Sequence, residues 1–215
     1  MLFRSKETRR ARYARNNRRD GGAMTAPRHV HSLFVGRTLF GKSYLAKVLA
    51  KQLKAGGRKI IVYDVLRSPD WNADFITDDQ TEFLEMFWTS VNCAVFVDEG
   101  AESIGKFNLD MLKTATRGRH NGHQVFYLAT RAADISKSVR AQTTTVYLFS
   151  CPLSDCKDFA DEFDAPELLQ AARFEQGYFF KCVGGQRPIP MRLDFDTGKI
   201  LQLNSISAPK NKSQK

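Results

Sequence analysis

Nowhere along the 215 residues do about 18 apolar side chains run together, so no transmembrane helix is expected. No apolar segment follows the charged first 20 residues, so they do not read as a secretory signal peptide. An Arg-rich, acid-poor start is also the composition of a mitochondrial presequence. Cysteine is sparse, with four residues at positions 93, 151, 156 and 182. Cys93 and Cys182 lie in apolar runs and read as buried thiols. Cys151 and Cys156 could serve as two metal ligands, but no second close pair completes a site. The pattern suits a reducing cytoplasm. No internal repeat is present.

Acidic residues are scarce at both ends. Residues 1–20 carry eight Arg or Lys against Glu7 and Asp20, and the last eight residues carry Lys210, Lys212 and Lys215 with no acid. Of the net charge of +10, these ends hold +6 and +3, which leaves about +1 for the body between them. Such basic ends suit a polyanion such as nucleic acid or an acidic membrane surface; a solvated tail that aids solubility is the plainer alternative. The expected organisation is a basic arm over 1–28, one domain over 29–207 and a basic tail over 208–215. Within the domain, 32–150 form the core and 151–207 a C-terminal helix plus a β meander. With 42% hydrophobic residues the chain is long enough to bury one α/β core.

Apolar runs at 32–35, 59–63, 93–97, 124–129 and 144–149 predict five strands. Amphipathic or helical stretches at 43–55, from 79 to about 91, up to about 116, and at 134–141 fall between them. Residues 65–77 read as irregular. The alternation predicts a mostly parallel sheet with helices on both faces. Helical residues over about 155–175 and three short β runs (178–183, 189–195, 200–203) then predict an antiparallel extension.

Between the first strand and the first helix lies Gly36-Arg37-Thr38-Leu39-Phe40-Gly41-Lys42-Ser43, which matches G-x-x-x-x-G-K-[ST]. The chemistry requires these residue types. Glycines permit the dihedrals that turn backbone N–H groups inward around phosphate oxygens. The helix that begins here directs its positive end at the same anion. Lys42 would reach the β- and γ-phosphates and the Ser43 hydroxyl would ligate Mg2+. The plain alternative is a glycine turn with an ordinary lysine.

The apolar strand ending at Val97 runs into Asp98 and Glu99. Adjacent carboxylates at a buried strand end call for a cation. Asp98 suits a Mg2+ carboxylate beside Ser43, and Glu99 suits the group that orients the attacking water. The combination predicts ATP binding and hydrolysis. If the strand 124–129 lies between 32–35 and 93–97, Thr130 and Arg131 at its end are placed as a sensor of the γ-phosphate. Arg117 and Arg119 then lie at the far end, where they could reach a neighbour's nucleotide in a ring or, alternatively, form a surface basic loop. His120 and His123 read as loop polar residues.

The order of these motifs resembles the FtsK/HerA-type branch of additional-strand P-loop ATPases. The residues that carry the resemblance are the Gly-rich loop, the strand ending in Asp64, the strand ending in Asp98-Glu99, Arg119-x-x-Gly122, and Ala129-Thr130. It covers roughly residues 32–150. The compact chain is similar to the genome-packaging ATPases of tailless, membrane-containing double-stranded DNA viruses. The resemblance implies nucleotide binding at Gly36, Gly41, Lys42 and Ser43, magnesium at Asp98, Glu99 as catalytic carboxylate, and Arg119 as a trans arginine finger with Arg117 second. It further implies ATP and Mg2+ as cofactors, and a ring homo-oligomer, a hexamer in that family, that translocates double-stranded DNA. Capsid-vertex or viral membrane proteins would be its docking partners, in the virion and the host cytoplasm, or in the cytoplasm if the protein is cellular. The family's sensor glutamine would fall at Arg131 or Thr130, and neither is Gln. One extra residue also separates Gly122 from the following strand. Alternative functions are a filamentous-phage assembly ATPase of the zonula-occludens-toxin type, a cellular DNA helicase or plasmid-transfer ATPase, and an ATP-binding structural protein.

Overall fold

The strands that carry the core are short continuous apolar runs because they are covered on both sides. In the computed structural model, which describes residues 31–98 and 108–205, they are β1 (His31–Val35), β2 (Lys59–Tyr63), β4 (Cys93–Val97) and β5 (Gln124–Ala129). A short strand, β3 (Phe75–Thr77), follows β2, and β6 (Thr143–Leu148) follows β5. The chain closes with β7 (Tyr178–Val183), β8 (Ile189–Leu193) and β9 (Ile200–Gln202). All nine belong to one sheet in the order β3-β2-β4-β5-β1-β6-β7-β8-β9. The pairs from β3 through β6 are parallel, and the three from β6 to β9 are antiparallel.

Successive side chains of a strand point to opposite faces, and the two cores follow that alternation. Phe34, Ile60, Val62, Phe96, Phe126 and Leu128 face one side, where Leu45, Ala46 and Ala50 of α1 (Lys42–Ala55) and Trp71 cover them. Leu33, Val35, Ile61, Val95, Val125 and Tyr127 face the other. There they meet Phe83 and Phe87 of α2 (Gln80–Thr89), Met111 and Ala115 of α3 (Leu109–Arg117), and Phe159 of α5 (Leu153–Phe163). Between α3 and α5 lies the single-turn α4 (Lys137–Arg140). Helices on both faces of a mostly parallel sheet, with an antiparallel run at its C-terminal edge, are the architecture the sequence predicts.

Helix starts follow side-chain chemistry. Asp79, expected as the first residue of α2, is instead its cap: its carboxylate accepts the Glu82 N–H at 2.9 Å. Asn108 does the same for α3, accepting from Met111 N–H at 3.2 Å. Three expectations need adjustment. The stretch read as irregular contains β3, which extends the sheet beside β2 through Ile61↔Phe75 to Tyr63↔Thr77. The helical stretch 155–175 is two pieces, α5 and a 3-10 segment at Pro166–Arg173, divided where Asp164 turns left-handed at φ 50° ahead of Pro166. The helix expected over 134–141 reduces to a 3-10 turn at Ala132–Asp134 and the four residues of α4. The basic arm 1–28 and the tail 208–215 lie outside the described residues. Among the described residues, no helix is long and apolar enough to cross a membrane.

Candidate functional site

β5 lies between β1 and β4, so the C-terminal ends of three neighbouring parallel strands meet at one edge of the sheet. Such an edge is where open α/β sheets carry ligands. Each strand delivers one polar segment there: the loop 36–41 from β1, Asp98 from β4, and Thr130 from β5. A cavity of about 550 Å³ is lined by all three.

The loop after β1 is wrapped tightly around its own backbone. Gly36 is at φ 152° and Gly41 at φ 108°, and Leu39 at the apex adopts φ 68°. Gly36 is also required by space: a Cβ there would lie 2.5 Å from the Phe149 Cβ and 3.0 Å from the Ser150 oxygen. The loop is fixed to β6's continuation by the Arg37 N–H donating to Ser150 O at 2.7 Å. Lys42 lies inside this turn. Its ammonium donates to the Gly36 and Arg37 carbonyls at 2.7 and 3.0 Å, and the residue is 8% exposed. Burial holds the Lys42 pKa below the ordinary lysine value, with the Asp98 carboxylate pulling in the opposite direction. Ser43 lines the same cavity at the first turn of α1.

Two outward carbonyls of the loop are bonded by the segment leading into β7. The Gln176 side-chain amide donates to Leu39 O at 2.7 Å, and Gly177 N–H donates to Phe40 O at 3.2 Å. These two bonds brace the apex of the loop from outside. The sequence offered no signal for this buttress.

Asp64, at the end of β2, lines the cavity but is engaged in its own turn. Its carboxylate accepts from the N–H groups of Leu66 and Ser68 and from the Trp71 indole, at 2.9–3.0 Å. Thr130 lines the cavity, and its hydroxyl donates to Asp134 at 3.0 Å. Arg131 does not line it: its guanidinium pairs with the buried Asp155 at 3.1 and 3.2 Å, and Asp155 also accepts the Ala132 N–H at 3.0 Å. Burial opposes the charge on Asp155, but these partners outweigh it and hold the carboxyl below its ordinary value. Arg117 and Arg119 are exposed at the opposite end of β5, on α3 and on the following 3-10 turn Gly118–Asn121. Glu99 lies outside the described residues.

The sequence therefore places Gly36, Gly41, Lys42, Ser43, Asp98 and Thr130 in one locality. Arg117 and Arg119 are at another. Two residues of the cavity wall, Tyr44 and Phe195, had no motif to flag them. His123, expected as a loop polar residue, is buried; its Nδ1 accepts the Cys93 N–H at 3.1 Å and its Nε2 faces Phe87 O at 2.9 Å. Cys151 and Cys156 are buried with their sulfurs 3.1 Å apart, and no group of three or more His, Cys, Asp or Glu among the described residues could hold a metal.

The residues present suit a triphosphate with its magnesium. The loop is concave, and a buried ammonium sits inside it. A hydroxyl and a carboxylate, the oxygen donors magnesium prefers, line the same cavity.

No protein-family model matches the chain, and no curated protein does. Solved structures do. The genome packaging NTPase B204 of Sulfolobus turreted icosahedral virus 2, in complex with AMPPCP, aligns with a TM-score of 0.62 at 18% identity over 84% of this chain and 100% of that one. The pCW3 conjugation coupling protein TcpA with ATPgS aligns at 0.55 and 16% identity, over 76% of this chain and 59% of that one. VirB4 of Thermoanaerobacter pseudethanolicus aligns at 0.55 and 9% identity, over 83% and 90%. The sheet order, the loop after β1 and these likenesses agree on the fold: the chain shares the P-loop NTPase fold of these structures.

Proposed function

We propose that the protein is an ATP-hydrolysing motor that translocates double-stranded DNA, packaging a viral genome into a preformed capsid as a ring of identical subunits. The observation that carries the reading is the cavity shared by Lys42, Ser43 and Asp98 at the ends of β1 and β4. Lys42 and the backbone N–H groups of the loop residues that line the cavity, Thr38, Leu39 and Gly41 to Ser43, would hold the β- and γ-phosphates. Ser43 and Asp98 would hold Mg2+, which offsets phosphate charge when bound. Glu99, one residue past Asp98, would orient the attacking water. Thr130 would sense the γ-phosphate from the end of β5. The similarity to a viral packaging NTPase supports the packaging context, and the basic ends supply salt-sensitive, sequence-independent attraction to DNA. Arg119, with Arg117 beside it, lies far from the chain's own cavity, which suits an arginine delivered to a neighbouring subunit.

ATP turnover with and without duplex DNA tests this. DNA should stimulate the wild type. Glu99→Gln should bind ATP without turning it over. Arg119→Ala should be inactive alone and regain turnover when mixed with Glu99→Gln subunits. Full activity of Arg119→Ala by itself would remove the ring arrangement, and turnover indifferent to DNA would remove the motor.

A pH series probes Lys42 separately. Only its ammonium form attracts phosphate, and its pKa is lowered by burial. ATP affinity should therefore fall as pH rises through that lowered value, earlier than an exposed lysine would allow. Affinity that stays level up to the ordinary lysine range would contradict it.

A further inference from the structure

Besides bracing the phosphate loop at its start, the C-terminal meander delivers one aromatic ring to the cavity wall. Phe195 follows β8 in a turn held by Asp194, whose carboxylate accepts the Asp196 and Thr197 N–H groups at 3.0 and 3.2 Å. The ring is wedged between two glycines: a Cβ on Gly41 would lie 3.1 Å from it, and one on Gly177 would lie 3.0 Å from it. Tyr44, on the first turn of α1, meets the ring edge-on at 5.2 Å and donates its hydroxyl to Phe195 O at 2.7 Å. Both side chains line the cavity.

The sheet order gives this pair a direction. Asp98 follows β4, on one side of the loop; β6, β7 and β8 lie on the other. A triphosphate with its metal end at Asp98 must therefore lead its other end toward the meander, where Phe195 and Tyr44 stand. Resting on the reading of the cavity as an ATP site, we propose that Phe195, braced by Tyr44, is the platform on which the nucleotide base lies, and that supplying it is one function of the C-terminal meander. The polar groups beside the ring are engaged with the protein itself: the Tyr44 hydroxyl with Phe195 O, and Asp194 with its own turn. Recognition by this pair is therefore through the face of the base. Every base presents such a face.

The test separates base from phosphate. Dissociation constants of ATP, GTP and inorganic tripolyphosphate, each with Mg2+, are measured for wild type, Phe195→Ala and Phe195→Tyr. Wild type should bind ATP and GTP more tightly than tripolyphosphate. Phe195→Ala should lose roughly tenfold or more for both nucleotides, the scale of one base–aromatic stack, while tripolyphosphate stays within about twofold. Phe195→Tyr should retain nucleotide affinity. If Phe195→Ala weakens tripolyphosphate as much as ATP, the ring only braces the loop and the platform is overturned. Unchanged ATP affinity in Phe195→Ala overturns it as well. Should that variant not fold, equal wild-type affinities for ATP and tripolyphosphate overturn it on their own. Wild type that binds none of the three compounds would instead remove the ATP reading on which the platform rests.

Discussion

Replacing Lys42 with alanine is expected to raise the ATP dissociation constant about 100- to 1,000-fold, since two charge-assisted hydrogen bonds to phosphate are lost. The fold should hardly register the change. The ammonium is buried and destabilised by that burial, so the desolvation relieved by removing it offsets the loss of its bonds to the Gly36 and Arg37 carbonyls. Calorimetric titration with Mg·ATP, paired with thermal melting of the unliganded protein, separates the two effects. A nearly unchanged Tm with lost binding is the expected result. ATP affinity within threefold of wild type would mean the loop does not hold phosphate.

Gly36→Ala should act through the opposite route. The added methyl has nowhere to go: it would lie 2.5 Å from Phe149 Cβ, and Phe149 is fully buried in the core beneath α1. The other close atoms are backbone, the Ser150 oxygen and the Phe149 carbonyl carbon, so no rotamer change relieves the contact. Alanine also resists φ 152°. Overpacking with backbone strain costs about 3 kcal/mol, which for a chain of this size lowers Tm by roughly 6–12 °C. Because the Arg37 N–H bond to Ser150 O passes through the same contact, nucleotide binding should weaken with stability. Circular-dichroism melting of the variant checks this, and a Tm within about 1 °C of wild type would show that β1 and β6 can part here without penalty.

The two substitutions illustrate what could be read before the structure and what could not. Gly36, Gly41, Lys42 and Ser43 were visible because the phosphate loop is a local device, eight consecutive residues between a strand and a helix. β1, β2, β4 and β5 were visible for a related reason: buried parallel strands are unbroken apolar runs. β3 escaped because three residues are too few to display any periodicity. The Phe149–Gly36 approach and the Gln176 bond to Leu39 join distant parts of the chain, the latter 137 positions apart, and no local pattern announces such pairs. Arg131 is a similar case. As the residue after Ala129-Thr130 it looked directed at the ligand, but Asp155, 24 positions on, supplies a buried carboxylate that turns it away. His123 looked like part of a polar turn and is instead a bridge between Cys93 and Phe87, because the turn at 118–121 folds it under α2.

The bonds from residues 176, 177 and 195 back to the phosphate loop also set an order of events during synthesis. Chains emerge from the ribosome N-terminal end first. The glycine-rich turn emerges well ahead of the groups that hold Leu39 O, Phe40 O and Tyr44 in place, Gln176 lying 137 positions after Leu39. A nascent chain halted before Gln176 would own the complete phosphate motif without the clasp that shapes it. Competence for ligand should thus arrive once residue 195 has emerged, rather than when residue 43 clears the exit tunnel.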